Sequence, residues 1–71
     1  MDSVEIGSAL RTARKRSGIT QADASDLAEI SERTVRDIEK GKDGAAFSAY
    51  VRLADVVGLG LELRTGGADG R

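Results

Sequence analysis

The sequence contains no cysteine and no histidine, and these two absences remove many of the side chains on which enzymes and metal sites depend. Without cysteine there is no disulfide framework or thiolate metal site, and without histidine the commonest general base and metal ligand is missing. The serines, aspartates and glutamates that remain form no nucleophile and base arrangement. We therefore expect a protein that is not an enzyme and that uses no catalytic residue, metal or cofactor.

Long apolar runs are missing as well. No stretch approaches the roughly 18 apolar residues of a membrane span, and the N-terminus lacks the apolar segment of a signal peptide. These absences predict a soluble, cytoplasmic protein with no membrane partner. The 71 residues make one domain, near the lower size at which a hydrophobic core alone gives secure stability, so we expect support from a second subunit.

The most informative segment present is 20–41, which predicts two short helices joined by a tight turn. Thr20 and Asp23 have the spacing of a reciprocal N-terminal cap. Ser31 is an N-cap candidate for a second helix over 32–40. Gly41 readily supplies the left-handed conformation that ends a helix. The segment therefore has the outline of a helix-turn-helix that reads DNA.

Each of these helices has one narrow apolar stripe, and both stripes are expected to face a shared core. The stripes consist of Ala24, Leu27 and Ala28 in the first helix and of Val35 and Ile38 in the second. The polar side chains of the second helix then point away from the core: Glu32, Arg33, Arg36, Asp37 and Lys40. A helix this polar on its outer face is suited to a charged partner.

The segment resembles the lambda-repressor-like XRE family through Thr20-Gln21, Leu27-Ala28, Ile30-Ser31, Thr34-Val35 and Ile38-Glu39-x-Gly41. The resemblance implies an all-α bundle of four to five short helices. It also implies that Glu32, Arg33 and Asp37 face base edges. Phosphate contact is implied for Gln21, Lys40 and Lys42, and the predicted DNA-binding set is completed by Ser31, Thr34 and Arg36.

The same resemblance matches Arg14 and Glu39 to an ion pair. That pair ties the N-terminal part of the chain, before the motif, to the second helix of the motif, which is the recognition helix. The alternative for Arg14 and Glu39 is an ordinary surface pair that contributes little stability. The chain departs from the family pattern at three positions, with Ala24 in place of Leu, Ser25 in place of Ala, and Glu29 in place of the usual turn glycine. A side chain in a left-handed turn costs on the order of 1 kcal/mol relative to glycine.

The net charge of −1, from 11 basic and 12 acidic residues, is unusual for a nucleic-acid-binding domain. Distribution matters more than the sum, because eight of the eleven basic residues precede position 43. Four of them form a run that precedes the helix-turn-helix segment: Arg11, Arg14, Lys15 and Arg16. Taken alone, the run is explained by a solvated helix C-terminus stabilised by the macrodipole, but beside a recognition-helix candidate it favours phosphate contact.

The flanking segments predict two more helices. Ile6, Ala9, Leu10 and Ala13 recur at helical spacing, which indicates a helix from about 3 to 17. A fourth helix begins somewhere in 44–48, where no clear cap is visible, and ends at Gly58. It is apolar nearly all round, so we expect burial on two sides. We assign Leu53 and Val56 to a dimer surface.

Beyond Gly58 the apolar period changes from helical to two, since Leu59, Leu61 and Leu63 alternate with Gly60, Glu62 and Arg64. This alternation predicts a β-strand, which would pair with its copy across a homodimer so that Glu62 meets Arg64. The dimerisation residues are thus Leu53, Val56, Leu59, Leu61, Glu62 and Leu63. The alternative is a frayed, extended tail.

The predicted domain covers 1–64, and the Gly-rich end at 65–71 is expected to be disordered.

Within the XRE family, a helix-turn-helix followed by Val57-Gly-Leu-Gly-Leu-Glu-Leu63 is similar to HipB-type antitoxins. That resemblance implies a nucleoid-associated repressor of its own operon and a HipA-like kinase toxin as partner. A phage- or plasmid-type XRE repressor without a toxin is the alternative, as is a protein-interaction module with weak DNA affinity.

A dimer of this kind would place two recognition helices in successive major grooves, about 34 Å apart, on a two-fold symmetric operator. Arg33 is the residue best suited to guanine, because its planar fork matches O6 and N7. Glu32 and Asp37 would accept from the exocyclic amine of cytosine, or else remain solvated carboxylates.

Overall fold

Four helices form the fold in a computed structural model that describes residues 2–59. They are α1 (Ser3–Arg16), α2 (Gln21–Ala28), α3 (Glu32–Glu39) and α4 (Phe47–Val56). Residues 2–59 contain no strand, so this part of the chain is all-α. Leu59, the first residue of the predicted strand, is not in a strand. The rest of the predicted strand, with its dimerisation residues Leu61, Glu62 and Leu63, and the predicted disordered tail at 65–71 lie outside the described residues. None of the described helices is long and apolar enough to cross a membrane.

The helix boundaries follow from local capping. The Thr20 hydroxyl accepts from the Asp23 amide and the Asp23 carboxylate accepts from the Thr20 amide, both at 3.0 Å, which confirms the predicted reciprocal cap. The Thr20 amide is the main reason that the pKa of Asp23 lies below its ordinary value. Ser31 caps α3 by accepting from the Thr34 amide at 3.0 Å. Asp2 caps α1, because its carboxylate accepts from the Glu5 amide at 2.9 Å; this cap was not predicted.

The turn between α2 and α3 is left-handed at Glu29, as the comparison with the family pattern suggested. Glu29 has φ 58° and ψ 43° and is the one non-glycine residue with positive φ among those described. The Ser25 hydroxyl donates to the carbonyl of Ile30 at 2.7 Å, and the Ile30 amide donates back to the Ser25 carbonyl at 3.2 Å. The departure from alanine at position 25 therefore gives this turn an extra hydrogen bond across its base.

The core is small and receives residues from all four helices. Its largest fully buried side chains are Leu10, Val35, Ile38 and Leu53. The short side chain of Ala24 is fully buried, as is nearly all of Ala28, so α2 approaches α3 and α4 closely instead of contributing bulk. Because the buried residues of α2 are small, the helix packs close to α3 and α4, and little side-chain volume is needed to fill the space between them.

A glycine allows α1 to cross α3 at close range. A Cβ at Gly7 would overlap the carbonyl oxygen of Ile38 and lie 3.2 Å from the carbonyl of Glu39. One turn nearer the N-terminus, the Ser3 hydroxyl donates to the Gly41 carbonyl at 3.1 Å. Together these contacts bring the first turns of α1 against the C-terminal end of α3.

Two apolar residues lie on the opposite side from that expected. Leu27, predicted to face the core, is 64% exposed on α2. Leu53, assigned to a dimer surface, is fully buried within the monomer because the inward stripe of α4 runs through Ala49, Leu53, Ala54 and Val57. The assignment of Leu53 to a dimer surface is therefore corrected. Val56 is half-buried and packs against the same core.

Candidate nucleic-acid interface

Helix α3 has one buried face and one exposed face. Val35, Ile38 and Glu39 are buried, which fixes the rotation of the helix about its own axis. The outer face carries the polar residues predicted to read DNA: Glu32, Arg33, Arg36 and Lys40 are exposed, and Thr34 and Asp37 are half-buried. The structure therefore brings these predicted side chains together on one surface.

The N-terminus of α3 carries two hydroxyl groups that bond to each other. The oxygens of Ser31 and Thr34 lie 2.8 Å apart, in addition to the cap bond from the Thr34 amide. Ser31 is exposed, so its hydroxyl remains within reach of a ligand. Glu32, the next residue, lies in the first helical turn, where the helix dipole favours its negative charge without a partner.

Asp37 is flanked by two cations at the middle of the exposed face. Its carboxylate lies 3.9 Å from Arg33 Nε and 3.8 Å from Lys42 Nζ. The Arg33 side chain is 83% exposed and that of Asp37 is 33% exposed. Pairs of this length and exposure contribute at most about 1 kcal/mol. Either cation is therefore free to turn toward an external partner at small cost.

The Arg14 and Glu39 pair is buried and connects α1 to α3. Arg14 donates to Glu39 through Nε at 2.6 Å and through Nη2 at 3.1 Å, and its Nη1 donates to the Ile19 carbonyl at 2.8 Å. Each of the two residues is only 8% exposed. This geometry differs from the ordinary surface pair that was the alternative, because the two-pronged contact satisfies charges removed from water.

Gln21 extends this buried pair to α2. Its Nε2 donates to the Glu39 Oε1 at 3.1 Å. Glu39 thus accepts from α1 and from the first residue of α2 at once, and it holds both helices against α3. Gln21 is half-buried, so part of its amide stays at the surface beside α3.

A shallow depression at this junction gathers positive charge. It is lined by Arg11, Gln21, Arg36, Glu39 and Lys40. Glu39 is paired with Arg14 inside the fold, and among residues 2–59 no carboxylate forms an ion pair with Arg11, Arg36 or Lys40. The depression is thus suited to an anionic group such as a phosphate.

Arg11 belongs to the basic run that favoured phosphate contact, and the structure places it beside α3. The basic run of α1 divides by direction, since successive helical residues turn by about 100°. Arg11 lines the depression beside α3, Arg14 is buried with Glu39, and Arg16 lines a groove beside the end of α4. Helical spacing indicates that these side chains point in different directions, and the packing of the helices decides which surface each one reaches.

Residues 5–65 match the family model described as a helix-turn-helix domain, which is one of the XRE-like group. The chain belongs to this helix-turn-helix family. No curated protein matches the chain. In the helix-turn-helix domain, α2 and α3 form the motif, and α3 is the second helix, which in such motifs lies in the major groove. The domain is typical of DNA-binding regulators, which agrees with the prediction of a DNA-binding helix-turn-helix from the sequence.

Proposed function

We propose that this helix-turn-helix protein is a sequence-specific transcriptional repressor that binds a two-fold symmetric operator as a homodimer. The observation that carries the proposal is the geometry of α3, whose inner face is held by the core and by Glu39 while its outer face presents only polar side chains. Such rigidity keeps the outer side chains at fixed positions relative to base edges. We propose binding, with no catalytic step.

The proposed contacts divide into two groups. Arg33 reads a guanine through its two-pronged guanidinium, and Glu32 and Asp37 accept from cytosine amines. The second group contacts phosphates and sets the register of α3 in the groove. It consists of Arg11, Gln21, Arg36, Lys40 and Lys42, which surround α3 on the side of α1 and α2 and at its C-terminal end.

Arg33→Ala tests the reading of bases by α3. Fluorescence anisotropy would follow binding to the duplex upstream of the protein's own gene and to a shuffled duplex, at several salt concentrations. We expect the variant to lose roughly 1 to 3 kcal/mol on the native duplex and much less on the shuffled one. Arg52→Ala, which removes an exposed arginine from α4, is the matched control and should leave both affinities unchanged.

Two results would count against this assignment. Equal losses on both duplexes would place Arg33 on the phosphate backbone instead of a base. Equally weak binding of the unaltered protein to both duplexes would exclude this site as an operator and favour a protein-interaction module, whose contact surface should tolerate loss of Arg33, Gln21 or Lys42.

The narrower role that we propose is that of a HipB-like antitoxin which represses its own operon and binds a HipA-like kinase toxin. Its support is the similarity of the sequence after Val57, with alternating leucines at 59, 61 and 63. Co-expression with a kinase-like reading frame next to the gene tests this role. A stable complex and rescue of growth are expected, whereas DNA binding without any such partner would indicate a phage- or plasmid-type repressor.

A further inference from the structure

The outer face of α3 carries an acidic side chain that lies between two cations. Asp37 Oδ2 lies 3.9 Å from Arg33 Nε, and Asp37 Oδ1 lies 3.8 Å from Lys42 Nζ. Each carboxylate oxygen thus has its own cation. Among residues 2–59, Asp37 is the one carboxylate that forms an ion pair with Arg33. Contact of the two cations with bases and phosphates does not by itself require such an arrangement.

Asp37 is the best-fixed member of this group. Its side chain is 33% exposed, against 83% for Arg33 and 61% for Lys42. Asp37 follows Arg33 by four residues in α3, and residues four apart are neighbours on a helix surface. The Lys42 amide donates to the Asp37 carbonyl at 2.9 Å, which keeps the backbone of Lys42 beside it. The long and exposed side chain of Arg33 is therefore oriented by a shorter and better buried one.

The atom of Arg33 that faces Asp37 decides which donors remain for a base. A guanidinium has five N–H donors, one on Nε and two on each Nη. Since Nε faces the carboxylate, both Nη groups stay available, and one donor from each matches O6 and N7 of guanine. Arg33 can thus read a base without leaving Asp37. A carboxylate has about four lone-pair sites, so the cytosine contact proposed for Asp37 is compatible with this pairing.

We propose that Asp37 is a positioning residue, which turns the guanidinium of Arg33 end-on toward guanine before DNA is bound. This inference rests on the proposed function and deepens it, because specificity at the base read by Arg33 then depends on a second residue. Ordering a long side chain costs conformational entropy on binding, and an orientation that is already set lowers that cost. Water is displaced when α3 enters the groove, so the ion pair also gains strength in the complex.

The negative charge of Asp37 has a second, opposite effect on DNA binding. It lies among side chains proposed to approach the DNA backbone, so it weakens attraction to phosphates on any sequence. Asp43 shares this effect, because it is exposed and lines the same depression as Arg33 and Asp37, yet it forms no ion pair among residues 2–59. Loss of either charge should thus raise non-specific affinity, but only loss of the Asp37 charge should release Arg33.

Asp37→Asn tests the positioning role, and Asp43→Asn is the matched control, since each substitution removes one charge at nearly constant size. In the free protein, NMR relaxation of the Arg33 Nε–Hε group measures the order of the guanidinium. We expect a lower order parameter in Asp37→Asn and no change in Asp43→Asn. Circular dichroism checks that both variants keep the fold, which is expected because neither side chain is fully buried.

Fluorescence anisotropy then measures binding to the native duplex, to the shuffled duplex and to duplexes with single base-pair changes. Arg33→Ala identifies the base position that Arg33 reads. Asp37→Asn should reduce discrimination at that position roughly three- to fivefold, the upper range for loss of an exposed ion pair. In the Arg33→Ala background the same substitution should have no effect there. Asp43→Asn should keep the discrimination of the unaltered protein, and both single variants should bind the shuffled duplex more tightly.

Two results would overturn the positioning role alone, while the unaltered protein still prefers the native duplex. An unchanged order parameter in Asp37→Asn would show that Asp37 does not orient Arg33. Equal reductions of discrimination by Asp37→Asn with and without Arg33 would mean that Asp37 acts on the DNA by itself. Equal affinity of the unaltered protein for the native and shuffled duplexes would instead overturn the proposed function, and with it any role of Asp37 in specificity.

Discussion

At Glu29 a charged side chain holds a left-handed backbone conformation that glycine adopts with little strain. The chain accepts the conformation because Thr20, Asp23 and Ser31 fix the starts of the helices on either side, and because Ser25 bonds across the turn. The turn is thus set by its neighbours, and within residues 2–59 the Glu29 side chain makes no hydrogen bond.

Glu29→Gly should therefore stabilise the protein, by on the order of 1 kcal/mol, since it removes the strain of a Cβ at φ 58°. Urea unfolding followed by circular dichroism measures the change. Asp26→Gly, at an exposed position inside α2, is the matched control and should destabilise by a similar amount because glycine weakens a regular helix. Destabilisation by both substitutions would mean that the Glu29 side chain contributes a contact that outweighs its strain.

At the scale of the elements, the position of α3 is decided by its contacts with α1 and α2. Gly7 lets α1 approach, and Glu39 accepts hydrogen bonds from Arg14 and Gln21. Loss of one partner of a buried pair leaves a charge without compensation, which is why such a pair is sensitive to substitution. The recognition helix is thus anchored at its C-terminal half, where the contacts to α1 and α2 are concentrated.

Gly7→Ala tests the close approach of α1 and α3. In an ordinary helix this change stabilises by roughly 0.5 to 1 kcal/mol, but here the new Cβ would overlap the Ile38 carbonyl, so we expect destabilisation of about 2 kcal/mol. Ser8→Ala, at the exposed neighbouring position, is the control and should change the free energy of unfolding by a few tenths of a kcal/mol. A gain in stability from Gly7→Ala would rule out the close crossing.

For the whole molecule, the small core explains why a second subunit is proposed. Among residues 2–59 four large side chains are fully buried, and α2 adds mainly alanines. Charge is also organised at this scale, since a net charge of −1 coexists with basic residues gathered around α3. Short-range attraction to phosphates can thus operate without an overall basic domain, and it should weaken strongly with salt.

If the protein is a dimer that supports its own folding, its thermal midpoint should depend on protein concentration. A hundredfold increase in concentration should raise the midpoint by roughly 5 to 10 °C, because association stabilises the folded state by mass action. Circular dichroism at both concentrations measures this. Arg64→Glu, which places like charges across the proposed strands, should weaken the effect, and adding Glu62→Arg should restore it. A constant midpoint would indicate a monomer.

The local features of the fold were determined by the sequence itself. The reciprocal cap of Thr20 and Asp23, the cap at Ser31 and the C-terminal ends of α1 and α3 all depend on residues a few positions apart, so spacing alone predicts them. The polar face of α3 follows in the same way from helical periodicity.

Only the tertiary structure decided which of two similar residues is buried. Leu27 and Leu53 each fit an apolar stripe, yet one is exposed and the other fills the core, because neighbouring helices cover only part of each stripe. Arg11 and Arg16 belong to one basic run, but helix packing turns them toward different surfaces. The need for glycine at position 7 likewise comes from the Ile38 carbonyl, 31 residues along the chain. Burial and contact between distant segments depend on how whole helices pack, and periodicity within one helix carries no information on that.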